Sequence, residues 1–127
     1  MNRPAHGSEK IDWARRPITA LVWWCLPIAL AVAVGAAVPS LHVAAAVWAA
    51  ALLWMGVGCL LNARRCHRLH CYFSGPVLLL GAVAVGLIGF DAVSLGPHAF
   101  NNAISFTLLL ALLSFVPEMF WGKYRHL

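Results

Sequence analysis

The chain has 127 residues, 62% of them hydrophobic and only 10% charged, with a net charge of +5. A soluble domain carries about 25% charged residues, so this composition argues against an ordinary soluble enzyme and for an integral membrane protein. The positive charge does not signal nucleic acid, because the basic residues border apolar runs, where they orient spans and meet anionic lipid.

In chain order, residues 1–17 form a basic tail containing Arg3, Lys10, Arg15 and Arg16. Trp13 beside Arg15 and Arg16 reads as an interfacial anchor. The first apolar run is too long for a signal-peptide core and no small-residue cleavage site follows it, so the N-terminus is expected to be retained. That run, residues 18–38, has no formal charge and is long enough to span a hydrocarbon core of about 30 Å. Pro27 lies in its early part, where it removes one backbone donor and is expected to kink the helix.

Pro39 and Ser40 mark a turn. The second span is expected over 41–61, with His42 at its start and Gly56, Gly58 and Cys59 near its end. A loop is expected over 62–73. The third span follows over 76–95, opened by Pro76 and carrying Gly81, Gly86, Gly89 and Asp91. After a turn at Gly96, Pro97 and His98, the fourth span is expected over 100–121, and residues 122–127 form a second short tail. Small residues such as these glycines let helices approach closely in lipid.

Every Lys and Arg falls in the N-tail, the central loop or the C-tail, and none in the turns between spans one and two or three and four. The positive-inside rule then places both termini and the 62–73 loop in the cytoplasm. The expected fold is an all-α, integral membrane four-helix bundle in a bacterial inner membrane, with residues 18–121 as one four-span domain.

The chemistry concentrates in NARRCHRLHCYFSGP at residues 62–76. Thiolate and imidazole bind zinc and softer metals, and Cys66, His67, His70 and Cys71 fall within about 140° of arc if the segment is helical. A C-x-x-C pair is missing from the segment, which weakens a redoxin or zinc-finger reading. Cys59 and Cys25 lie toward the same side of the membrane, a reducing side where thiols persist. Arg64, Arg65 and Arg68 surround the motif; they are topology and lipid-contact residues first. At the outer face His42, Asp91 and His98 form a candidate uptake site of harder ligands, although Asp91 also suits a turn cap. Glu118 sits where it can pair with an arginine of the central loop.

The pattern N-A-x-R-C-x-R-x-H-C-Y-x-x-G-P resembles one found in short bacterial inner-membrane proteins. The wider plan is similar to the small mercury-uptake proteins of bacterial resistance systems, in which a few spans pass a soft ion between cysteines. Those proteins carry a vicinal cysteine pair in the first span, whereas Cys25 stands alone. Their second pair does not enclose histidines, whereas Cys66 and Cys71 do. Together with the cysteines and histidines gathered on one side of the membrane, the similarity in plan makes the leading expectation a protein, not an enzyme, that binds and moves a soft metal ion such as mercury, copper or zinc. Its partners would be membrane lipid, a cytoplasmic metal acceptor and a second copy of the chain. An interaction protein whose basic loop binds lipid or a partner is the alternative, and a thiol-dependent membrane enzyme is a third.

Overall fold

A computed structural model describes residues 17–66 and 69–121; within these, the side chains of Cys66, Glu118 and Trp121 are outside the description. The two tails, with the Trp13 anchor, and the pair His67 and Arg68 also fall outside it, as does the expected Glu118 ion pair. Among the described residues every regular element is helical. We number them α1 (Pro17–Ala37), α2 (Leu41–Cys66), α3 (Leu69–Gly89), α4 (Ala99–Leu113) and α5 (Val116–Trp121). The first three are long and apolar enough to cross a membrane, with mean hydropathies of 2.1, 2.0 and 2.0.

Several expectations are corrected. The segment 62–73 is not a loop: residues 62–66 continue α2 and residues 69–73 begin α3. The polar composition hides a buried face that recurs every three or four residues. On α2 this face is Leu52, Met55, Cys59, Asn62 and Ala63; on α3 it is His70, Cys71, Ser74, Leu78, Ala82 and Val85. Such a face packs only as a helix. Pro76 is therefore internal to α3 rather than in its first turn.

The fourth apolar run is also not one helix. It breaks at Ser114 and Phe115, leaving α4 with 15 residues, about 22 Å at the helical rise. Pro117 explains the break. It has no N–H for the carbonyl of Leu113, and its ring would clash there. Ser114 turns its hydroxyl to the carbonyl of Ala111, which satisfies a carbonyl at the frayed end.

The third span is shorter than expected, ending at Gly89 instead of 95. Asp91 has φ of 60° and the amide of Ala92 donates to the carbonyl of Leu87 at 2.9 Å, while that of Asp91 donates to Ile88 at 3.2 Å. This is a Schellman cap with Asp91 in the left-handed position, which aspartate tolerates better than most residues.

Packing is tightest between α2 and α3, which share the core of Leu52, Met55, Cys59, Ala63, Cys71, Leu78, Ala82 and Val85. On the flanks, α1 rests on α2 and α4 on α3, with at most marginal contact between α1 and α4. The four helices thus form a bundle left open along one side. Gly81 lets α4 seat there, since a Cβ on it would strike the Thr107 side chain.

α1 is not a uniform α-helix. Leu21–Cys25 forms a π-helical turn, in which Leu26 N–H bonds the carbonyl of Leu21 five residues back. The next nitrogen in that register belongs to Pro27, which has no hydrogen. The carbonyl of Val22 is left without a backbone donor, and the indole Nε1–H of Trp54 on α2 supplies one at 3.2 Å. Trp54 also stacks on Trp23, centroids 4.6 Å apart. Gly58, one turn on, makes room for Trp23: a Cβ there would lie 2.6 Å from its ring. The π turn thereby holds Trp23 and Trp24 against α2.

Candidate thiol–imidazole site

Antiparallel packing brings the start of α1, the end of α2, the start of α3 and the end of α4 to one end of the bundle, the end where α2 connects to α3. Residues of the motif meet there with Cys59, just before it in sequence, and with Trp24 of α1. Cys59 is buried on α2 and Cys71 on α3, and their thiols hydrogen-bond each other. Both are free thiols, as is Cys25.

Each sulfur also takes a bond from the opposite helix. Ser74 Oγ–H of α3 donates to Cys59 Sγ at 3.3 Å, and Asn62 Nδ2–H of α2 donates to Cys71 Sγ at 3.5 Å. From α1, Trp24 Nε1–H donates to Cys59 Sγ at 3.1 Å. The buried polar groups of this region are therefore satisfied by one another, as a low-dielectric setting demands.

His70 is 4% exposed, places Nε2 3.4 Å from Cys71 Sγ and stacks on Phe115 beyond α4, centroids 4.1 Å apart. The stack uses the break in the fourth run: the turn at Ser114 and Phe115 swings the phenyl ring over the imidazole.

Beside these groups lies a cavity of about 490 Å³, in the gap that α1 and α4 leave open. Cys25, Cys59, His70 and Ser74 contribute its polar wall. Trp24, Ile28, Met55, Leu78, Leu108, Ala111 and Phe115 make most of the remainder. Cys25 is exposed at its edge.

The structure thus gathers Cys25, Cys59, His70 and Cys71 around one end of the bundle. Cys66 closes α2 with its side chain outside the described residues, and His67 and Arg68 lie outside them altogether. Arg64 and Arg65 are exposed on the last turn of α2, where their charge also complements the helix dipole. Among the described residues no three His, Cys, Asp or Glu side chains assemble as a ligand set for a metal ion.

At the opposite end His42 Nε2 lies 3.8 Å from Asp91 Oδ2 and its ring is 5.6 Å from that of Phe90, with both partners of the pair well exposed. His98 precedes α4, is exposed, and takes no part in that contact. Two of the three expected uptake residues therefore meet, and Asp91 has a structural task as a helix cap.

Sequence reasoning did not assign Trp24, Asn62, Ser74 or Phe115 to the site. A signal for two of them exists. Asn62 follows Cys59 by three residues and Ser74 follows Cys71 by three, which puts each on the face of its cysteine. Compared with protein-family models, curated proteins and solved structures, the chain matches none.

Proposed function

We propose that the chain is a multi-pass protein of a bacterial inner membrane that binds a soft metal ion and moves it by ligand exchange between thiols. The observation that carries this reading is the Cys59–Cys71 pair, two thiols from different helices hydrogen-bonded in an apolar bundle with Cys25 and His70 beside the same cavity. Buried cysteines alone are ordinary small hydrophobes. Two in mutual contact, each supplied with a side-chain donor from the facing helix, are a preorganised dithiol.

The Lys and Arg distribution supports cytoplasmic termini and a cytoplasmic α2–α3 connection. In that orientation the dithiol lies near the inner face. The fourth passage is made by α4 together with α5 across the turn at Ser114. An ion arriving through the bundle would exchange from Cys25 to Cys59 and Cys71, then to Cys66 and His67 at the connection, and finally to a cytoplasmic acceptor. Mercury and copper(I) are served by thiolates alone. Tetrahedral zinc would need Cys66 or His67 to complete four ligands.

The test is metal content and cellular accumulation. Purified protein exposed to mercury(II) or copper(I) should retain the ion stoichiometrically, and Cys59→Ser combined with Cys71→Ser should release it. Cells carrying that double variant, or Cys66→Ser with Cys71→Ser, should lose protein-dependent accumulation. Unchanged retention and uptake would reject the reading and favour a lipid- or partner-binding role carried by Arg64, Arg65 and Arg68.

A further inference from the structure

The cavity poses a question that a bare ion does not answer. A metal ion held between two thiolates needs almost no empty volume, yet about 490 Å³ lies against Cys59. An engineered apolar cavity of about 150 Å³ stays dry and accepts benzene, so a void of this size and lining suits an organic group better than water. Its polar wall offers no carboxylate, and its serine hydroxyl and indole N–H are already engaged by Cys59.

The thiol pair sharpens the choice. Two thiolate–metal bonds of about 2.3 Å set in line hold their sulfurs about 4.6 Å apart. Cys59 and Cys71 are held side by side across one seam, by Ser74 at 3.3 Å and Asn62 at 3.5 Å, and sulfurs that close also suit a bent centre. A trivalent arsenic centre is bent and pyramidal, is thiophilic, and has three positions. Two thiols fill two of them and leave one.

We propose that the site takes trivalent organoarsenicals of the form R–As(OH)₂, with arsenic bridging Cys59 and Cys71 and the group R lodged in the cavity. The inference rests on the reading of Cys59 and Cys71 as a soft-element dithiol. The step is R–As(OH)₂ + 2 R′SH → R–As(SR′)₂ + 2 H₂O. Two As–O and two S–H bonds break, two As–S bonds form, and each leaving hydroxide takes up one thiol proton. Nothing is oxidised or reduced. His70, with Nε2 3.4 Å from Cys71 Sγ, is placed to relay the second proton.

Charge and access agree with this class. Reactant and product are both uncharged, so neither incurs the cost of a bare ion in an apolar medium. The gap between α1 and α4 gives a lipophilic molecule a lateral way in, past Cys25 and Leu112 on the rim. Met55, Ile28 and Phe115 then surround R.

The experiment uses the full chain in detergent with three probes: phenylarsine oxide, which hydrates to the dihydroxy form, inorganic arsenite, and mercury(II). Wild type should bind phenylarsine oxide with loss of two titratable thiols. Its preference over arsenite should exceed that of free dithiothreitol by tenfold or more. Cys59→Ser or Cys71→Ser should weaken phenylarsine oxide at least a hundredfold. Ala111→Phe fills the cavity and should erase the extra preference while mercury(II) binding persists, which also certifies the fold. Ala111→Leu is the milder substitute if the phenylalanine variant fails to fold.

A preference no greater than that of dithiothreitol, or one that survives the filled cavity, overturns the proposal and leaves the dithiol reading intact. If the serine variants bind all three probes as wild type does, both readings fall.

Discussion

Trp54→Phe tests the account of the π turn. The substitution keeps an aromatic ring on Trp23 and removes only the donor that the Val22 carbonyl receives at 3.2 Å. In water a stranded carbonyl would find solvent. Here both residues are exposed on the outside of apolar helices, where lipid or detergent rather than water faces the carbonyl, and a polar group left unpaired in such surroundings costs about 1–3 kcal/mol. Hydrogen bonds measured inside a membrane protein average about 0.6 kcal/mol and reach about 1.7, so a loss of about 1–2 kcal/mol is expected. The decisive part is the rescue. Pro27→Ala restores a backbone N–H where the helical register needs one. With it, Val22 has a donor whether the turn stays π or reverts to α. In that background Trp54→Phe should cost less than about 0.5 kcal/mol, well below its cost alone. The void left by the proline ring enters both limbs of the cycle and cancels. Equilibrium unfolding in mixed micelles, followed by circular dichroism, gives the four free energies. Equal costs of Trp54→Phe with and without Pro27 would refute the claim that the indole replaces the missing backbone donor.

Other perturbations follow from the same packing. Gly58→Ala drives a methyl into the Trp23 ring and should destabilise by about 1–3 kcal/mol, as overpacking does, read as a lower thermal midpoint in detergent. Ser74→Ala removes one donor to Cys59 and should cost about 0.5–1.5 kcal/mol, with a rise in the alkylation rate of Cys59 as its cage loosens. Phe115→Leu deletes the ring stacked on His70 and should cost about 0.5–1.5 kcal/mol beyond lost area, seen as a shifted His70 ring resonance. Pro117→Ala gives the Leu113 carbonyl its donor and should fuse α4 with α5, detected as slowed hydrogen exchange at residues 114–117.

The sequence pattern supplied the helical class, the first apolar runs and the placement of His70, Cys71 and Cys59 near one another. These follow from run length and charge spacing, which are local properties. Pro27 was legible as a disturbance, but the form it takes was not, because the partner of Val22 sits on another helix. The misreading of 62–73 has a different cause. Arginines and histidines there suggested a loop on composition, whereas Asn62, Ala63, His70 and Cys71 face inward at helical spacing and carry the helices through it. The break before Pro117 was readable from proline chemistry; what it does for His70 depends on where Phe115 lands, a tertiary fact. The cavity is not local at all. It exists because α1 and α4 each prefer an inner helix to one another.

One regularity was present in the sequence and becomes visible once the chain is folded about the α2–α3 connection. Cys59 bonds Ser74 and Asn62 bonds Cys71 across the seam, and the two pairs share one midpoint in the sequence, between residues 66 and 67. In an antiparallel helical hairpin, residues equidistant from the turn fall at the same level. Two successive levels of this hairpin thus each pair one thiol with one hydrogen-bond donor, in opposite order. Packing alone does not require that alternation, since Ala or Leu would fill either donor position without a polar group to satisfy. What the alternation does achieve is to hold both sulfurs at the α2–α3 seam while every donor near them is used. A ligand entering the cavity would then meet the Cys59 thiol fixed in position, with Cys71 bonded to it from behind the cavity wall. The level pairing also makes a strong demand: exchanging Asn62 with Cys71, or Cys59 with Ser74, keeps composition and level but moves a sulfur to the other helix. Exchanging either pair puts both sulfurs three residues apart on one helix, still on one face but no longer across the α2–α3 seam, and should weaken phenylarsine oxide binding, while exchanging both pairs together should restore the cross-helix arrangement. Recovery of affinity in the double exchange is the expected result, measured by the loss of paired titratable thiols; a double exchange as weak as the single ones would show that the surroundings of each sulfur, and not the cross-helix pairing, define the site.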